Sequence, residues 1–235
     1  MTTDCIQPGR NAADSFKNAE AIANYAEGPP RFVPGFEALH RMTAILLAEN
    51  APATARVLVL GAGGGLELST LARAQPGWSF VGVDPSQPML DLASKSLGPL
   101  MARIELVHGY IDDAPAGPFD AATCLLTLHF LDAAERLRTT QAIHARLKPG
   151  APFVAAHSSF PQDPASRPTW LSRYAAYAVA AGASPEQAAS ARVAVDGHLD
   201  LLDPGEDEAI LRDAGFSDVA MFYAAFTWRG WTARA

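Results

Sequence analysis

Residues 57–72 read VLVLGAGGGLELSTLA: a short apolar run, a knot of glycines, then a stretch with helical spacing. A glycine loop between a strand and a helix lets the backbone approach a ligand closely, and the helix start offers free N–H groups. Gly61, Gly63 and Gly65 alternate, so Leu66 stands where a dinucleotide fingerprint has its last glycine. No lysine follows, as a nucleoside-triphosphate loop would require. The knot alone leaves several nucleoside ligands open, and a plain structural turn as well.

The surrounding sequence repeats the same rhythm. WSFVGVD (78–84) reads as a second strand and PSQPMLDLASKSL as a helix with Ser86 as its N-cap. ARIELVHG (102–109) and FDAATCLLTL (119–128) read as strands three and four, and APFVAAHS (151–158) as the fifth. Between the last two, Asp132 and Glu135 are spaced as a capping box for DAAERLRTTQAIHARL. Strands alternating with helices imply parallel pairing through right-handed crossovers. PTWLSRYAAYAVAAG, SPEQAASARVAVDGHL and PGEDEAILRDAG then read as helices, followed by two β-rich runs, FSDVAMFYA and AFTWRGWTAR, that can only form an antiparallel hairpin. Upstream, 15–26 and 35–49 have helical spacing, separated by EGPPRFVPG.

The expected fold is therefore α/β: a Rossmann-like doubly wound sheet of seven strands, mostly parallel, with a C-terminal antiparallel hairpin and helices on both faces. One domain spans 1–235. Its parts are an N-terminal helical lid (1–50), a cofactor-binding core (56–158), a helical insertion (159–203) and the last helix with the hairpin (204–235).

Bulk properties narrow the function. The 235 residues suffice for one sizeable core. A formal charge of −7 with no basic run argues against a nucleic-acid partner. Cys5 and Cys124 form no disulfide framework, and no cluster has metal-ligand spacing, so no metal is expected. Neither a secretory start nor a membrane-spanning run is visible, and the expected location is cytoplasmic. A homodimer is compatible with these properties.

Asp84 ends the second strand, where an acid can accept hydrogen bonds from two ribose hydroxyls; the plainer reading is a charge at a helix start. Together with the alternating glycines, LKPG before strand five and the terminal hairpin, it resembles the class I S-adenosylmethionine-dependent methyltransferases over 56–158 and the hairpin. PPRFVPGFEALHRM, CLLTLHFL, RLKPGAPFVAAHSSF and ILRDAGFSDVAMFYAAFTWRGWTAR are similar to the carboxy-S-adenosylmethionine synthase subfamily and its methyltransferase relatives, from about Tyr25 onward. That resemblance implies S-adenosylmethionine as cofactor. It implies cofactor contacts at Gly61, Ala62, Gly63 and Gly65, at Asp84 and Pro85, at Met89, at Tyr110 and Ile111, at Leu125 and at Phe36. It also places on Arg192 the arginine that reaches the modified cofactor's carboxylate. The chain departs from the subfamily at Phe36 (tyrosine there), Tyr110 (aspartate), Leu125 (asparagine) and Val59, where methyltransferase loops often carry an acid. Sites that lose donors cannot recognise the same groups equally well.

Methyl transfer rests on positioning, and a base is needed only if the acceptor must lose a proton. His129 and His157, near the carboxyl ends of strands four and five, are the candidate bases; each is alternatively a packed core histidine. Neither has a carboxylate orienter visible in the sequence. Arg192 is a candidate carboxylate fork or a solvated helix charge, and Trp170 and Tyr174 are candidate acceptor contacts or core residues. The leading expectation is transfer of a methyl group to a small molecule. A carboxy-cofactor synthase, a non-catalytic binding protein and a dehydrogenase are the alternatives.

Overall fold

Val57 to Leu60 are buried on both faces of the strand, as a central parallel strand requires, and the apolar run leaves no solvent side. A computed structural model describes residues 28–235; the helix expected over 15–26, and Cys5, lie outside the described residues. The strands are β1 (Arg56–Leu60), β2 (Ser79–Asp84), β3 (Ile104–His108), β4 (Ala121–Leu125), β5 (Pro152–Ser158), β6 (Ser217–Ala225) and β7 (Trp228–Arg234). The helices are α1 (Gly28–Phe32), α2 (Phe36–Ala48), α3 (Leu66–Ala74), α4 (Gln87–Leu97), α5 (Ala133–His144), α6 (Arg167–Ala180), α7 (Pro185–His198) and α8 (Pro204–Asp213).

The sheet order is β3-β2-β1-β4-β5-β7-β6. β1 to β5 pair in parallel, and β7 runs antiparallel between β5 and β6. This is the expected doubly wound sheet with its terminal hairpin. Two apolar layers sandwich it: Val57, Val59, Leu68, Leu71 and Leu125 on one face, Leu58, Leu60, Ile143, Phe153 and Trp231 on the other. Strand order reverses between β1 and β4, which opens a crevice at the carboxyl ends of the strands.

Three local expectations change. The break around EGPPRFVPG contains the short helix α1, because Pro29 and Pro30 fall in its first turn, where a missing N–H costs nothing. The fourth strand ends at Leu125, as Leu126 takes a φ of 56° and turns the chain into a 3₁₀ turn, Leu128–Phe130. Asp132 caps α5 by accepting the Glu135 N–H at 2.8 Å, but the Glu135 carboxylate turns to Arg138 instead of closing a box. The α7 box is complete, with Ser184 and Gln187 bonding each other's backbone N–H groups.

The hairpin fastens the N-terminal helices over the sheet. Trp228 Nε1 donates to Phe32 O at 2.9 Å and Tyr223 Oη donates to Pro34 O. Each bond adds roughly 1 kcal/mol, and both hold α2 beside the crevice. Among the described residues no helix is long and apolar enough to cross a membrane.

Candidate active site

The glycine loop is stitched to β2: the Gly61 and Ala62 N–H groups donate to Val83 O at 2.9 and 3.0 Å. Gly61 has a φ of 81°, and a Cβ there would lie 1.9 Å from Thr127 Oγ1, so only glycine fits. Asp84 binds the loop from the strand end. Its Oδ2 accepts the Gly63 N–H at 2.8 Å and its Oδ1 accepts the Ser86 N–H at 2.9 Å. Burial raises its pKa, opposed by these two N–H groups and by His108. A carboxylate has about four lone-pair sites, so both oxygens retain capacity for a diol. Ser86 occupies the N-cap position of α4 without a side-chain cap bond, since Asp84 satisfies this turn instead.

Above the loop lies a cavity of about 680 Å³. Gly61, Ala62, Gly63, Asp84, Pro85, Met89, Tyr110, Ile111, Leu125 and Phe36 all line it. Met89, Ile111, Leu125 and Phe36 are buried, whereas Tyr110 is exposed at the rim, its backbone N–H held by Asp113. Gly65 is off the wall. With a φ of 83° it starts α3, and its missing side chain admits Ala93 and Leu97 of α4, so it serves helix packing.

The structure separates the other candidates from the cavity. His129 is buried between Phe130 and Trp228, with Nδ1 3.5 Å from the Ser158 N–H, and burial holds its pKa well below the usual histidine value. His157 faces the opposite side of the sheet, against Trp231, with Nε2 3.1 Å from Asp207 Oδ1. Arg136, fully buried, donates to the same Asp207 oxygen and to the carbonyls of Leu131 and Asp200. Burial works to raise Asp207, but His157 and Arg136 outweigh it and hold the acid at about 2. His157 thus has a carboxylate partner, supplied from α8, in a structural ion-pair cluster that joins α5, α8 and β5. Buried pairs of this kind are costly to break from one side.

Arg192 is exposed in a separate groove between α6 and α7. Trp170 stacks under the guanidinium groups of Arg173 and Arg229, and Tyr174 packs against Phe32 of α1. No residue of the 159–203 insertion is among those lining the cavity. The reason is packing: α6 and α7 bury their apolar faces on each other and on α1, leaving α2 as the helix over the crevice.

Among the cavity residues that escaped the sequence reading, two are buried and titratable. His40 follows Phe36 by one helical turn and shares its buried stripe, ring centroids 4.4 Å apart. Burial lowers its pKa to about 4, so it is neutral at neutral pH. Glu67 stands four residues before the buried Leu71, hence on the buried stripe of α3. An acid inside an apolar stripe was the available signal. Burial lifts its pKa to about 8, with the Thr123 hydroxyl opposing.

Residues 57–150 match the family described as a methyltransferase domain. The chain is 25% identical to a carboxy-S-adenosyl-L-methionine synthase of Campylobacter curvus over 198 residues, 84% of this chain and 83% of that protein. The same identity holds for the synthase of Desulfotalea psychrophila over 239 residues, 98% and 96% of the two chains. In fold, the chain superposes on magnesium protoporphyrin IX methyltransferase of Synechocystis with bound S-adenosylhomocysteine. The TM-score is 0.69 at 17% identity, covering 97% of this chain and 99% of the other. A methyltransferase from Aquifex aeolicus gives 0.58 at 16% identity, with 97% and 98% covered.

Proposed function

We propose that the protein transfers a methyl group from S-adenosylmethionine to a neutral or cationic small molecule. The observation that carries this reading is the charge of the cavity. Six acidic side chains line it among the described residues (Asp84, Asp112, Asp113, Asp132, Glu135 and the protonated Glu67) against one arginine, Arg138. That arginine is already engaged by Asp112 at 3.0 Å and by Glu135 at 3.0 Å. Such a wall suits a cationic sulfonium cofactor and repels the pyrophosphate of a dinucleotide.

When bound, the cofactor supplies a methyl group on an electrophilic sulfonium. The chain's part is to hold and orient. Asp84 would bind the ribose hydroxyls, Tyr110 and Ile111 would flank the adenine, and Phe36 and His40 on α2 would close the acceptor side against water. His129 and His157 are not among the described residues that line the cavity. His40 is the cavity imidazole with a free proton-accepting form.

A second reading, a carboxy-S-adenosylmethionine synthase, is favoured by the names of the curated relatives. It needs a cation for the added carboxylate. Arg138 is doubly paired, and Arg192 lies in the outer groove. Mass spectrometry of the small molecule that co-purifies separates the readings. S-adenosylmethionine or S-adenosylhomocysteine supports methyl transfer, a carboxylated adduct supports the synthase, and a nicotinamide nucleotide refutes both.

A further inference from the structure

Glu67 is a buried carboxylic acid that the described residues satisfy only in part. It is 6% exposed, it lines the cavity, and its Oε1 has no hydrogen-bond partner among the described residues. A buried polar atom left unpaired costs free energy, so this oxygen destabilises the fold unless a ligand in the cavity meets it. The other acid deep in the cavity, Asp84, is by contrast bonded to two backbone N–H groups.

Position indicates what Glu67 would meet. It interacts with Thr123 of β4, and Thr123 is the direct neighbour of Val59 on β1. Glu67 therefore sits over the β1–β4 side of the glycine loop, whereas Asp84 ends β2 and Tyr110 follows β3. A nucleoside cofactor laid across β3, β2 and β1 with its ribose at Asp84 brings its methionine end to Glu67. That end carries a sulfonium, an ammonium and one carboxylate, a net positive charge, and the strand beneath it offers Val59, which has no charge.

We propose that Glu67 is the counter-charge for the cationic methionine end of S-adenosylmethionine, delivered from α3. The inference rests on the cofactor reading above. On binding, the Glu67 carboxyl gives its proton to solvent and pairs as a carboxylate with the incoming cation; no other bond changes. The titratable groups on the elements around it are His40 of α2, held neutral by burial, Cys124 of β4, whose thiol is raised by burial, and Asp84 of β2. None of them supplies a positive charge at neutral pH.

Calorimetry of cofactor binding at pH 7, in buffers of different ionisation enthalpy, reads the proton directly. Wild-type protein should release close to one proton on binding S-adenosylmethionine, and Glu67→Gln should release none. At pH 9 Glu67→Gln should bind S-adenosylmethionine roughly tenfold or more weakly, the scale of a lost charge-assisted hydrogen bond. S-adenosylhomocysteine distinguishes the two cations. Proton release with it places the ammonium at Glu67, and release with S-adenosylmethionine alone places the sulfonium there. Equal proton release and equal affinity in wild type and Glu67→Gln overturn the inference while leaving the cofactor reading intact. Failure of the wild type to bind either compound refutes both.

Discussion

The ligand-free protein should lose stability as pH rises from about 5 to 8, and Glu67→Gln should abolish much of that loss. The pKa of Glu67 goes from 4.5 in the free side chain to about 8 in the fold, because burial penalises its charged form. Between those values the folded chain keeps a proton that the unfolded chain has released. The native state then binds more protons, so stability falls with rising pH. The contribution is complete below pH 4.5 and gone once pH passes about 8. At about 1.4 kcal/mol per pH unit, the interval amounts to roughly 5 kcal/mol as a ceiling. Glutamine keeps the shape and a neutral polar head, but does not titrate. Urea denaturation without ligand at pH 5, 6, 7, 8 and 9, compared at constant m, measures the effect. The wild-type and Glu67→Gln curves should diverge by several kcal/mol across the series, with the variant the more stable at pH 8. Parallel curves would show that Glu67 is solvated in the fold, and the reasoning about its burial would fail.

Further outcomes follow from the same geometry. Asp84→Ala removes the acceptor of the Gly63 and Ser86 N–H groups; stability should drop by about 2–4 kcal/mol, and calorimetry should show cofactor affinity at least tenfold weaker. Gly61→Ala drives a Cβ against Thr127 Oγ1 at a φ of 81°, so cofactor binding should be lost, with a melting temperature several degrees lower by roughly 1–3 kcal/mol of strain. His129→Gln, in the core beside Trp228 and away from the cavity, should lower stability by about 1–3 kcal/mol while turnover under saturating cofactor stays within about threefold. A collapse of turnover in a folded His129→Gln protein would return that histidine to the chemistry.

The sequence by itself determined the sheet and where the glycine loop and Asp84 stand on it. β1 to β5 are local runs of apolar and β-branched residues, and the glycines, Asp84 and the hairpin are fixed by short-range backbone requirements, so each is legible from its neighbours. The polar inventory of the cavity was not. His40 and Glu67 enter it from helices whose rotation is set by packing onto β4 and onto the hairpin bonds at Phe32 and Pro34. His129, in the 3₁₀ turn after β4, and His157, near the end of β5, stand where an active-site residue would but were turned into the core. Trp228 covers one, and Asp207 with Arg136, brought from α8 and α5, claims the other. Which face of a strand end meets a cavity and which meets a helix depends on elements up to 196 residues apart in the chain. Local patterning cannot specify that, and long-range packing decides it.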